Sequence, residues 1–250
     1  MSVKISTALP LLLLAVTLSS CQVKKISKNP DFLWNTINNE CVPNQKKNGN
    51  PEPCAFVEFD KTGTQGWVAY KDYRGVLHYL LMPATKITGI ESPEILTEDS
   101  PNYFYQAWEA RRLMSERAKK KIDDYAISFS INAQTHRSQN QLHIHISCNR
   151  PDVQDVINQN EKSVGPTWAA FPAEMAGHKW WARRITADQL KKQDAFKYLN
   201  NDFADAKGNM YRYGLAMVAV KNAKGEPEFL LLAMLGHSED IQDHSCKLVM

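Results

Sequence analysis

Residues 141–148 read Gln-Leu-His-Ile-His-Ile-Ser-Cys. Gln141, His143, His145 and Ser147 alternate with Leu142, Ile144, Ile146 and Cys148, the period of two by which a β-strand sends successive side chains to opposite faces. The stretch 126–132, Ala-Ile-Ser-Phe-Ser-Ile-Asn, alternates likewise: Ile127, Phe129 and Ile131 share one face, Ser128, Ser130 and Asn132 the other. Each strand therefore has an apolar face to bury. A buried sheet rarely places histidine at two successive positions of one face, so His143 and His145 stand out as the candidate functional pair.

Outward from these strands, segments 55–59, 66–71 and 77–82 have strand composition, the last two joined by the turn Asp72-Tyr-Arg-Gly75. Ser100-Pro101 is a helix start signal, and Tyr103, Phe104, Ala107, Trp108, Ala110, Leu113, Met114 and Ala118 recur at three- and four-residue spacing. They predict an amphipathic helix of about five turns, its aromatic stripe in the core. Residues 31–41 read as a short helix, and 42–53, with three Pro, three Asn and a Gly, as a loop. Downstream the pattern predicts a helix over 152–160, an aromatic strand over 177–186, a helix over 187–203, and strands over 213–220 and 228–234. Many locally paired strands with few long helices make the class α+β with an antiparallel sheet.

The composition bounds the function. With 250 residues, 43% hydrophobic and 23% charged, the chain is neither disordered nor a polytopic membrane protein, and a net charge of +3 argues against a nucleic-acid partner. Lys4 precedes an apolar run over 9–18 of signal-peptide length, too short for a spanning helix, which needs about 20 residues. Leu18-Ser-Ser-Cys21 resembles a bacterial lipobox. Residues 1–20 are then a removed signal peptide, Cys21 a lipidated terminus, and 21–40 a basic tether and short helix before a domain over 41–250; an uncleaved anchor is the alternative. Either reading puts the domain on the exported, periplasmic side of a bacterial envelope membrane. In that oxidising compartment Cys41, Cys54, Cys148 and Cys246 suit two disulfides. Three pairings exist, and Cys41–Cys54 with Cys148–Cys246 is favoured over buried free thiols.

Two chemistries fit a His-x-His pair on a strand. One is a metal site, for which no carboxylate occurs between Asp124 and Asp152 and His136 lies in a loop. In the other, a neutral imidazole attacks phosphorus while neighbours orient it and meet the phosphoryl oxygens. A third possibility is a surface lipoprotein that binds nucleotide or lipid without turnover.

The series Val68-Ala-Tyr-Lys-Asp72, Leu77-His78-Tyr-Leu-Leu-Met-Pro83, Asn132 and Gln141-Leu-His143-Ile-His145-Ile-Ser147 resembles the histidine-triad (HIT) superfamily of nucleotide hydrolases and transferases. Within it Gln139-Asn140, Cys148-x-Arg150-Pro-Asp152, Arg212-Tyr-Gly-Leu-Ala-Met-Val218 and Ile241-Gln-Asp-His244-x-Cys246 resemble the CDP-diacylglycerol pyrophosphatases, over about residues 40–248. The resemblance implies a HIT-like antiparallel sheet with a long helix after its second core strand and a C-terminal α+β extension. It also implies hydrolysis of the liponucleotide CDP-diacylglycerol to CMP and phosphatidate, with no metal or other cofactor.

One position departs from the superfamily pattern, where His-x-His-x-His is usual and this chain has Gln141 first. Aligned on its flanks, the resemblance makes His143 the nucleophile and His145 its support; a shifted register would make His145 the nucleophile, with Ser147 third. Gln141, His145 and Asn132 would hold phosphoryl oxygens, Asp72 would lie near ribose hydroxyls, His78 beside the triad, and Gln139 among the substrate-binding residues. Arg137 and Arg150 flank the strand and either meet phosphate or face solvent, while His178, Trp180, Trp181 and His244 read as packing or supporting residues.

Overall fold

A computed structural model describes residues 29–250. The elements run α1 (Phe32–Thr36), a π-helical turn (Ile37–Cys41), α2 (Val42–Asn48), β1 (Phe56–Phe59), β2 (Gly66–Lys71), β3 (Tyr79–Pro83), α3 (Tyr103–Ala110), α4 (Arg112–Ala118), β4 (Ile127–Ile131) and β5 (Ile144–Asn149). There follow α5 (Pro151–Asn160), β6 (Ala169–Ala170), β7 (Trp181–Thr186), α6 (Ala187–Lys192), α7 (Ala195–Asp202), β8 (Tyr213–Lys221), β9 (Pro227–Leu235) and β10 (Gln242–Asp243). The strands form one sheet in the order β1-β2-β3-β5-β4-β8-β9-β7-β6, and the pairs are antiparallel, the α+β arrangement that alternation along the strands predicts. β3 pairs with β5 over Ile144 to Ile146, and β10 takes over beside Cys148 and Asn149.

The two faces of this sheet are covered differently, and the difference makes the site. On one face Ile127, Phe129, Ile131, Ile144, Ile146 and Cys148 join Leu215, Met217, Leu231 and the aromatic stripe of α3 in one core. The opposite face has two separate clusters. Leu33 and Ile37 cover Val57, Val68, Leu80 and Met82 at one end, while Val153, Ile157 and Trp180 cover Ala216, Val218, Leu230 and Leu232 at the other. Between them, on β4 and β5, the face carries Ser128, Ser130, His145 and Ser147, with His143 just before β5; all are buried. Burial of polar groups there obliges the protein to supply partners.

Cys41 is bonded to Cys54 and Cys148 to Cys246. The second bridge lies behind β5 and ties it to the end of the chain.

Several boundaries differ from the sequence reading. Residues 42–48 are helical, because Pro43 suits a first helical turn and Gly49, at φ 71°, closes the helix in the left-handed region. The long helix starts two residues later than Ser100-Pro101 suggests: Asn102 caps it by accepting from Tyr105 N at 3.0 Å. It also breaks at Arg111, whose guanidinium lies 3.5 Å over the Trp108 ring and pairs with Asp124 at 2.8 Å. The helix predicted over 187–203 is two, because buried Asp194 caps α7 and accepts from Phe104 N as well as Phe196 N. The signal-peptide and Cys21 readings lie outside the described residues, among which no helix is long and apolar enough to cross a membrane.

Candidate active site

His143 is held by its own chain. Its Nδ1 lies 2.6 Å from the Gln141 carbonyl oxygen, an acceptor only, so Nδ1 carries the proton and Nε2 keeps its lone pair. Burial pushes the imidazole below its usual range and keeps it neutral. A neutral imidazole with a fixed tautomer is a nucleophile that needs no base to activate it.

Gln141 does not reach the cavity as the outer member of a triad. Its Nε2 donates to the Pro83 and Thr85 carbonyls at 3.0 and 2.9 Å, fastening the segment whose carbonyl orients His143. The cause is local: ahead of β5, which begins at Ile144, the Gln141 amide is drawn to two loop carbonyls and not to the cavity. Gln139 also lies elsewhere than among substrate contacts. It accepts from Leu33 N at 3.1 Å and donates to the Asn29 carbonyl at 3.0 Å, which fixes the start of α1.

His145 stands at the centre of a buried chain. Its Nδ1 is 2.9 Å from His78 Nε2, while its Nε2 lies 3.3 Å from Glu239 Oε2 without a hydrogen bond. Burial lowers its pKa to about 3. His78, also pushed down by burial, lies 3.2 Å from the Arg74 carbonyl oxygen and 3.6 Å from Asp72 Oδ2 through Nδ1. His78 thus stands beside His145, and fully buried Asp72 is held by Arg74 N at 2.9 Å.

Glu239 is the residue that sequence reasoning missed. Burial alone would raise its pKa, but His145, His244 and Asn132 hold it ionised, well below the usual carboxylate range. His244 Nε2 is 2.8 Å from Oε1, and Asn132 donates to Oε2 at 2.9 Å while accepting from Glu239 N at 3.1 Å. Asn132 therefore orients a carboxylate with both ends of its amide. His244 also stacks on His78, ring centroids 3.9 Å apart, and lies 2.9 Å from Ser147 Oγ. The disulfide was the available signal: once Cys246 is tied to Cys148, residues near the C-terminus must lie close to the histidine strand.

His143, His145, Asn132 and Glu239 line a cavity of about 380 Å³ with Arg74, Thr135, His136, Arg137, Ser138 and His237. Asp72 lines a neighbouring cavity of about 700 Å³ with Phe32, Thr36, Tyr70, Lys71, Tyr73 and Val76. Arg150 pairs with Asp152 at 2.7 Å, Trp180 is core, and His178 pairs with Asp240 at 3.2 Å. His78, His145 and Glu239 bring potential ligand atoms within 4.8 Å of one another. The 2.9 Å contact between the two imidazoles already engages one nitrogen of each, which suits a hydrogen-bonded relay better than a coordination sphere.

Comparison with known proteins gives the family. A protein from Yersinia pestis named CDP-diacylglycerol pyrophosphatase is 39% identical over 249 residues, covering 96% of this chain and 93% of that one. The family model described as CDP-diacylglycerol pyrophosphatase matches residues 28–250. With both the polar gap in the sheet and the C-terminal carboxylate inside the matched region, the chain belongs to the CDP-diacylglycerol pyrophosphatase family.

Proposed function

We propose that this protein hydrolyses the pyrophosphate bond of CDP-diacylglycerol to CMP and phosphatidate, with His143 as nucleophile. The observation that carries the assignment is the buried, neutral imidazole of His143, its Nδ1–H held by the Gln141 carbonyl, in a family whose name states the substrate. His143 Nε2 attacks the cytidylyl phosphorus in line as the bond to the phosphatidate oxygen breaks and that oxygen keeps the electron pair. Water then displaces the imidazole, and CMP leaves. His145, bonded to His78 through Nδ1, stands beside both displacements, and a proton taken up on its Nε2 near Glu239 would let it meet charge on the phosphoryl oxygens. The cavity lined by Asp72, Tyr70 and Tyr73 takes the nucleoside, which brings Asp72 to the ribose side of the site. The polar strand face with its preceding His78 strand supports a HIT-like fold, in which Gln141 stands where a third histidine is usual.

The same proposal extends to the chain ahead of the described residues: 1–20 a signal peptide, Cys21 lipidated, 21–40 a tether, and the domain at the exported face of an envelope membrane. Confining enzyme and lipid to one surface raises their effective concentration. Mass spectrometry of the N-terminal peptide should find diacylglyceryl-modified Cys21; a retained Met1 or Ser2 terminus refutes it.

The central test is a product assay on the full chain with CDP-diacylglycerol in mixed micelles, with and without chelator. CMP and phosphatidate should form in both, and acid-labile cytidylyl label should map to the peptide containing His143. Loss of activity in chelator would favour a metal-dependent phosphoesterase. Binding without any turnover would favour a non-catalytic lipoprotein.

A further inference from the structure

A pyrophosphate carries two phosphate groups, and the side chains discussed so far address only the one that His143 attacks. We propose that Arg137, His136 and His237 form a second subsite, which holds the leaving phosphate of the substrate. The inference rests on the hydrolase reading above and adds the means by which the site would distinguish a pyrophosphate from a simple phosphodiester.

Arg137 supplies the strongest observation. Its side chain is 8% exposed, lines the polar cavity and places Nη1 2.5 Å from Glu91 Oε2, while Nε has no hydrogen-bond partner. An arginine N–H taken out of water and left unmatched is a donor waiting for an acceptor. The position is also made for it: a Cβ on Gly89 would fall 2.2 Å from Arg137 Nη1, so a larger residue there would displace the guanidinium.

The same cavity carries two further imidazoles. His136 and His237 approach to 6.3 Å between ring centroids, and His237 Nδ1 is fixed 2.8 Å from Asp240 Oδ1. Gly236, at φ 110°, lets the chain turn there, and a Cβ on it would come within 3.2 Å of His136. Glu239, the carboxylate on the same wall, is engaged by His244 and Asn132. Arg137, His136 and His237 line the same cavity as Asn132, His143 and His145, with His237 Nε2 3.6 Å from Glu239 Oε2, so a second phosphate bound there lies beside the attacked one. When the phosphorus–oxygen bond breaks, its electron pair stays on the leaving phosphate, and the added charge is met by Arg137 Nε–H and the rim imidazoles.

The test compares two substrates that share the cytidylyl group, CDP-diacylglycerol and cytidine 5′-(4-nitrophenyl phosphate), which has no second phosphate. Arg137→Lys keeps a cation for Glu91 but has no Nε–H, and His237→Asn removes the rim imidazole. In each variant the ratio of kcat/KM for the pyrophosphate over the nitrophenyl ester should fall about 10- to 100-fold, the worth of a charged hydrogen bond. An unchanged ratio overturns the subsite, whether both activities fall together through misplacement of the site or neither changes. Wild-type protein that cleaves the ester but not the pyrophosphate would overturn the subsite and leave the histidine chemistry standing. Wild-type protein inert toward both would overturn the hydrolase reading itself.

Discussion

The histidine cluster should make this protein lose stability at a pH where most proteins are at their best. His78, His143 and His145 are buried, and burial depresses all three, His145 from 6.5 to about 3. The sign follows from linkage: as pH falls through 6.5 the unfolded chain takes up protons that the folded chain refuses, so stability is full above 6.5 and falls below it. His78 and His145, the rings pushed furthest down, each contribute up to about 1.4 kcal/mol between pH 7.5 and 5.5, together about 3 kcal/mol of the 5–15 kcal/mol typical of a folded protein, and His143 adds in the same direction. Glu239 acts in the same direction but only below the ordinary carboxylate range near 4.5, outside this window. Urea unfolding followed by tryptophan fluorescence, with the disulfides intact, measures the difference directly. His145→Gln removes one of the two strongly depressed rings and should reduce the pH dependence by up to about half. If wild-type stability at pH 5.5 and 7.5 agrees within about 1 kcal/mol, these rings are not held neutral and the account of the site is wrong.

Other outcomes follow from single contacts. His143→Ala should lower kcat by on the order of 10⁴-fold or more while CMP binding, measured by calorimetry, changes little, because the bond to phosphorus exists only along the reaction path; label on His145 would place the nucleophile one pleat away. Gln141→Ala frees the Pro83 and Thr85 carbonyls and should lower stability by about 1–3 kcal/mol, with Gln141→His retaining activity. Ile144→Ala, on the opposite face, should cost roughly 2–5 kcal/mol by unfolding assay with little effect on KM. Replacing both Cys148 and Cys246 by serine opens a loop of 98 residues in sequence and should cost up to about 4–5 kcal/mol, and kcat should fall because Glu239 and His244 lose their tether.

Alternation made the centre of the fold legible. Ile127, Phe129, Ile131, Ile144 and Ile146 all face one core, as their spacing requires, because a strand leaves only two directions for a side chain. Helix ends were less legible, since Asn102, Arg111 and Asp194 act through partners on other segments that no local pattern contains. The site divides along the same line. His145 was readable from its own strand and His143 and Asn132 from positions one residue outside β5 and β4, though Asn132 turns its amide to Glu239, whereas Glu239, His237 and Arg137 reach the cavity through β10 pairing, a glycine turn and a distant ion pair. Gln141 was misplaced because periodicity gives a side chain's face and not its partner; its amide is drawn to the two loop carbonyls of Pro83 and Thr85.

Glu239 and His244 lie close to the end of the chain, and the covalent tie that seats them joins Cys246 to a strand made nearly a hundred residues earlier. A reducing cytosol would leave that tie unmade. Seating of the buried carboxylate thus depends on an oxidising compartment, in which Cys148 and Cys246 can join.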